Sequence, residues 1–149
     1  MISDDERRAI EQDCQKLALT SIHLNDMQRW DALSDLFIEN ARFARPTAPA
    51  DVIEGREAIR AGFKARPVGR ITRHLITNLI VDVVDGDHAR CRMYATLFTG
   101  DTANPAHNPA FGLLADHNKF IGIIEDDYVR TPAGWRIEER SGSITFLVE

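Results

Sequence analysis

From residue 3 to residue 25 the apolar positions recur at steps of three and four. Ile10, Cys14, Leu17, Ala18, Ser21 and Ile22 fall on one stripe, which predicts a long amphipathic helix. Ser3, with Glu6 three residues later, has the spacing of a capping box at its start. Asp26 lies four residues past Ile22 and extends the same inward face if the helix runs that far. A shorter helix is expected over 28–37, with Trp30, Leu33, Leu36 and Phe37 on its apolar side. Ala41 to Arg45 reads as a short strand. Residues 46–51, with prolines at 46 and 49, read as a loop. Gly55 to Ala65 reads as a third helix that carries Ala58, Ile59 and Phe63 inward, and Pro67 and Gly69 close it.

Past residue 70 the period changes to that of strands. Arg73–Asp85 is rich in Ile, Leu and Val, and the turn Asp85-Gly86-Asp87 leads into Ala89–Thr99, a hairpin signal. Residues 100–118 read as a long loop, followed by a strand at Lys119–Thr131, a turn at 132–134 and a last strand at 135–148. Three helices followed by a meander of strands is an α+β pattern. Strict alternation along 73–84 puts His74, Ile76, Asn78 and Ile80 on one face and Leu75, Thr77, Leu79, Val81 and Val83 on the other. A sheet with one solvated face would alternate more cleanly. Both faces are therefore expected to be covered, one by the helices and one by a second copy of the chain, as a homodimer or higher homo-oligomer.

Composition narrows the picture. At 149 residues the chain reads as a single domain over 1–149, and a net charge of −5 with no basic, aromatic-laced run argues against a nucleic-acid or anionic-membrane surface. No window reaches 18 apolar residues. The charged N-terminus shows no signal-peptide core, so a cytoplasmic protein is expected. Cys14 and Cys91 stand outside any metal-binding spacing and are expected to be buried free thiols. No His-x-His or His-x-x-x-His pair and no glycine-rich phosphate loop occurs, so neither metal, nucleotide nor other cofactor is expected.

The candidate chemistry lies in two stretches, His23-Leu-Asn-Asp26 and Arg73-His74-Leu-Ile-Thr-Asn78. An imidazole, with an ordinary pKa of about 6.5, accepts or releases a proton near neutrality. A carboxylate on an apolar helix face is costly unless paired. Asp26 and His74 thus form a candidate base and orienting partner, the alternatives being a helix-capping Asp26 and a histidine bonded to nearby backbone. Asn78, Arg140, Tyr128 and Trp30 are candidate substrate-binding residues. For Asn78 the alternative is a bond to adjacent backbone. For Arg140 it is a salt bridge to Glu138, Glu139 or Asp126. His107 and His117 lie in the 100–118 loop, which has the length of a functional lid, with His117 as a second proton-transfer candidate. His23 and His88 read as surface residues.

The order of these blocks carries a resemblance over essentially the whole chain. It rests on Asp26-Met-Gln-Arg-Trp30 through Phe37-Ile-Glu-Asn-Ala41, Ile53-Glu-Gly55-Arg-Glu-Ala-Ile59, Arg73-His74-Leu-Ile-Thr-Asn78, Glu125-Asp126-Asp127-Tyr128, Gly134-Trp135-Arg136-Ile137 and Arg140. Together they resemble the SnoaL-like, scytalone dehydratase-like branch of the nuclear transport factor 2-like superfamily. The resemblance implies a cone-shaped α+β fold, with three N-terminal helices packed on a curved sheet around a pocket. In dehydratase-like and dehydrochlorinase-like members a helix-end aspartate orients a strand histidine, and Asp26 and His74 match those positions. The first helix lacks the tyrosine many such members carry, leaving Tyr94 and Tyr128 as the tyrosines available. The implied activity is that of a cofactor-independent lyase or isomerase, dehydratase- or polyketide cyclase-like, on a small, mostly apolar cyclic or aromatic substrate in a pocket with few polar groups. Two alternatives share the fold: a non-catalytic ligand-binding or dimerisation module, and the small structural subunit of a ring-hydroxylating oxygenase.

Overall fold

Ser3 opens the first helix as its spacing predicts. In the computed structural model, which describes residues 1–149, its hydroxyl accepts from the Glu6 amide and the Glu6 carboxylate accepts from the Ser3 amide. This helix, α1 (Asp4–Asp26), buries Ile10, Cys14, Leu17, Ala18, Ser21, Ile22 and Asp26, the predicted stripe including its last carboxylate. Two further helices follow, α2 (Trp30–Ser34) and α3 (Arg56–Lys64). No helix is long and apolar enough to cross a membrane.

Six strands make one mixed sheet: β1 (Phe37–Arg45), β2 (Ala48–Glu54), β3 (Arg70–Val83), β4 (His88–Asp101), β5 (Lys119–Thr131) and β6 (Gly134–Val148). Their order is β2-β1-β6-β5-β4-β3. β1 runs parallel to β6, and the other neighbours are antiparallel. The helices cover the concave side. Between them and the sheet lies a core that includes Phe37, Phe43, Phe63, Met93 and Ile137. Cys14 and Cys91 are buried free thiols in it.

The first sheet edge departs from the sequence reading. The second helix is only five residues long, and Phe37 begins a strand rather than ending a helix. The segment around Pro49 is also strand, not loop. Because β2 is the sheet edge, its outward side needs no hydrogen-bond donor, so a proline is tolerated there.

A second departure changes the face assignment on β3. Thr77 pairs with Tyr94 and Ile80 with Arg92, so Asn78 and Leu79 together oppose Met93. Asn78 takes φ 53° in this bulge. Asparagine is one of the few non-glycine residues that visits this region. The extra residue shifts the phase. His74 and Ile76 precede it on the inner face, while Leu79, Val81 and Val83 follow it on that same face and pack against the core. The two apolar faces expected from strict alternation are thus largely one face, and Asn78 and Ile80 are exposed.

Curvature has a further source at β5 and β6. Ile121 pairs with Phe146 and Gly122 with Ile144, which leaves Thr145 extra. A Cβ on Gly122 would lie 2.5 Å from the Ser143 carbonyl oxygen, so no larger residue fits this crossing. Gly122 and Ile144 then face the cavity that the curved sheet encloses.

Candidate active site

Asp26 ends α1 where the helix meets β3. Its Oδ1 lies 2.6 Å from Nδ1 of His74, and its Oδ2 accepts the His74 amide at 2.8 Å. Thr72 Oγ1 donates to Oδ1 at 2.8 Å. One carboxylate therefore grips both the backbone and the ring of the same histidine. Burial pushes the Asp26 carboxyl up, but the hydrogen bonds and charge of His74, with Thr72, outweigh it and hold the group below the ordinary carboxylate value. A carboxylate only accepts, so in the neutral ring Nδ1 carries the proton and Nε2 presents a lone pair. The capping alternative does not hold, since α2 begins at Trp30 and its N-cap position is Arg29, with no side-chain cap bond.

His74 lines a cavity of about 320 Å³ between the helices and the sheet. Its apolar wall includes Ile22, Phe43, Ala95, Leu97, Phe120, Ile124 and Ile144. Four arginines, Arg45, Arg66, Arg70 and Arg140, also line it, while no aspartate or glutamate does. The expectation of a lining with few polar groups is thus corrected: the cavity is apolar over much of its wall and cationic elsewhere. The four arginines come from the end of β1, the connection between α3 and β3, the start of β3 and the middle of β6, and no periodicity marks them as neighbours.

Arg140 sits on β6 and is 7% exposed. Its Nε and Nη2 donate to the two oxygens of Asp126, both at 2.7 Å, and Nη2 also donates to Ser21 Oγ at 2.7 Å. Of the three acidic partners expected from sequence, Asp126 is the one it takes. Nη1 makes no bond within the protein, and the residue faces the cavity. Burial alone would favour a neutral guanidine; the Asp126 carboxylate reverses this and raises Arg140 above the usual arginine range. Arg140 is held as a fixed cation.

Three of the expected substrate-binding residues lie elsewhere. Tyr128 is 1% exposed and donates to Asp126 Oδ2 at 2.6 Å, behind Arg140 rather than in the cavity. Burial, then the Asp126 charge, raises its phenol well above its ordinary value, so it remains a donor. Trp30 does not line the cavity; it stacks on Phe63 at 5.8 Å, and Arg66 lies 5.3 Å over its ring. Asn78 stands exposed in the bulge, because the added residue turns it away from the inner face. The alternation rule could not place it.

The loop between β4 and β5 contributes no cavity residue, and His107 and His117 are exposed, so neither the lid nor a second histidine forms part of this wall. Its attachment is Asp116, which accepts from Arg70 at 2.8 Å and from Thr99 at 2.6 Å. Thr72 and Ser21 were not among the sequence candidates. Thr72 precedes His74 by two residues on the same face, and Ser21 interrupts an apolar helix stripe with a hydroxyl. Both are signals a sequence can carry.

Residues 6–141 match the sequence profile of the SnoaL-like domain. No curated protein matches the chain. Among solved structures, a proposed scytalone dehydratase from Novosphingobium aromaticivorans superposes with TM-score 0.82 at 17% identity, over 98% of this chain and 91% of that one. A type 2 hexachlorocyclohexane dehydrochlorinase, LinA, gives 0.78 at 15% identity, over 98% and 92%. A proposed dehydratase of the nuclear transport factor 2-like family from Streptomyces avermitilis gives 0.75 at 15%, over 91% and 95%.

Proposed function

Since the chain belongs to the SnoaL-like domain family, within the nuclear transport factor 2-like superfamily, we propose that it is a cofactor-independent lyase or isomerase in which His74 is the general base. The observation that carries this reading is the Asp26–His74 pair at 2.6 Å on the wall of a cavity large enough for a small cyclic or aromatic molecule. Structures named for dehydratase and dehydrochlorinase activities share the fold and support a reaction of that type.

In this mechanism Nε2 of His74 takes a proton from a substrate carbon next to a carbonyl or a leaving group. The imidazolium that forms is stabilised by the Asp26 carboxylate, which stays ionised and holds the ring in place. The C–H electron pair moves toward the carbonyl oxygen, or expels the leaving group as a double bond forms. Arg140 Nη1 offers a donor for that oxygen or departing group, fixed by Asp126 and Ser21. A positioned base of this kind contributes roughly 10²–10⁴ in rate.

The test is hydrogen–deuterium exchange in deuterated water, followed by NMR on a panel of small cyclic ketones and β-hydroxy ketones. Exchange at the carbon next to the carbonyl is expected with wild type and lost in His74→Gln. Equal exchange by both proteins would refute the base assignment.

A further inference from the structure

Two of the four cavity arginines have carboxylate partners and two do not. Arg70 pairs with Asp116 and Arg140 with Asp126. Arg45 and Arg66 form no salt bridge; each makes one hydrogen bond to a neutral group, Arg45 Nη2 to the Gly62 carbonyl at 3.1 Å and Arg66 Nη1 to Asn25 Oδ1 at 2.7 Å. Arg45 Nε is sealed from water without any partner. Guanidinium cations on a cavity wall without a carboxylate partner are costly in a folded protein.

The local surroundings sharpen this. Arg66 lies 4.9 Å over the Phe63 ring and 5.3 Å over Trp30, which fixes its plane. Burial, reinforced by the neighbouring Arg45 cation, pushes Arg66 down to about 10. Two like charges thus face one cavity with no acidic side chain among its lining residues, in a chain whose net charge is −5. A bound anion would relieve their repulsion.

We propose that Arg45 and Arg66 form an anion subsite that binds the carboxylate of the substrate, whose apolar ring lies along the cavity wall. Naming that ligand as substrate rests on the proton-transfer reading above. The planar fork of arginine matches a carboxylate's two oxygens, and the aliphatic and aromatic lining suits the ring that bears it.

The experiment measures binding of 2-naphthoate and of neutral 2-naphthalenemethanol by calorimetry. Wild type is expected to bind the carboxylate at least about tenfold tighter. That preference is expected to collapse in Arg45→Gln and in Arg66→Gln, and to persist in Arg66→Lys, which keeps a cation over the stack. It is also expected to survive in His74→Gln. Equal affinity of the two probes, binding of neither, or a preference unchanged in both glutamine variants would overturn the subsite. Circular dichroism checks folding, and if Arg66→Gln does not fold, Arg45→Gln decides. A carboxylate preference alongside exchange that His74→Gln leaves intact would sink the base assignment and leave the subsite standing. Loss of exchange in His74→Gln without a carboxylate preference would do the reverse.

Discussion

Oδ2 of Asp26 accepts the backbone amide of His74 at 2.8 Å while Oδ1 accepts from the ring of the same residue at 2.6 Å. A carboxylate at the C-terminal end of a helix opposes the helix dipole, which costs roughly 0.3–1 kcal/mol at a surface. Three hydrogen bonds offset that cost, and their geometry fixes the tautomer of a histidine on the cavity wall.

Asp26→Asn keeps the shape and removes the charge. The amide can donate as well as accept, so the ring loses its enforced tautomer and the forming imidazolium loses its counter-charge. Turnover is expected to fall roughly 10²–10⁴-fold with near-normal circular dichroism. Initial rates on any substrate found by the exchange screen measure this.

The same carboxylate links stability to pH. Its folded-state pKa lies below the ordinary value of 3.8, so the unfolded chain takes up this proton at higher pH than the folded one. The stabilisation is therefore complete above 3.8 and is lost as pH falls through the folded value. The difference in melting temperature between wild type and Asp26→Asn should be constant at mildly acidic pH and shrink on further acidification. Thermal scans across that range test it.

The ion pair behind the cavity is a second sensitive point. Asp126→Ala would leave Arg140 buried without its counter-charge, a loss of about 3–5 kcal/mol. The double variant Asp126→Leu/Arg140→Met, which removes both charges, is expected to lose less. Urea denaturation of the three proteins compares them.

Strand β3 shows what the sequence could and could not reveal. The helical stripe from Ile10 to Ile22 and its continuation to Asp26 were readable, because a 3.6-residue period survives any tertiary context. His74 was readable as a candidate from its type and its place at a strand start. The bulge was not: an asparagine inside an apolar strand carries no signal distinguishing a polar inward residue from one extra residue that resets the phase. Pro49 misled for a related reason, since only the sheet order shows that its strand lies at an edge. Arg45 and Arg66 are brought together by α3 packing on β1, a long-range contact that no local pattern encodes.

The bulge has its own test. Asn78→Gly is expected to be neutral within a few tenths of a kcal/mol, since glycine also adopts positive φ, whereas Asn78→Val should lose about 1–2 kcal/mol. Denaturant midpoints separate the two.

On the outer face, Leu75, Thr96, Ile121 and Phe146 pair in register across four strands, with Leu75 and Phe146 strongly exposed. Such a band is expected to meet a second copy. Light scattering should give twice the mass of one chain, and Leu75→Glu with Phe146→Asp should give a monomer; a wild-type monomer would contradict this.

The ring ¹⁵N chemical shifts of His74, recorded above the ordinary imidazole value of about 6.5, test the central claim most directly. An Asp26-held base must show a protonated, pyrrole-like Nδ1 and a bare, pyridine-like Nε2, and the distinction must fade in Asp26→Asn. A proton on Nε2, or tautomers mixed alike in both proteins, would contradict the account.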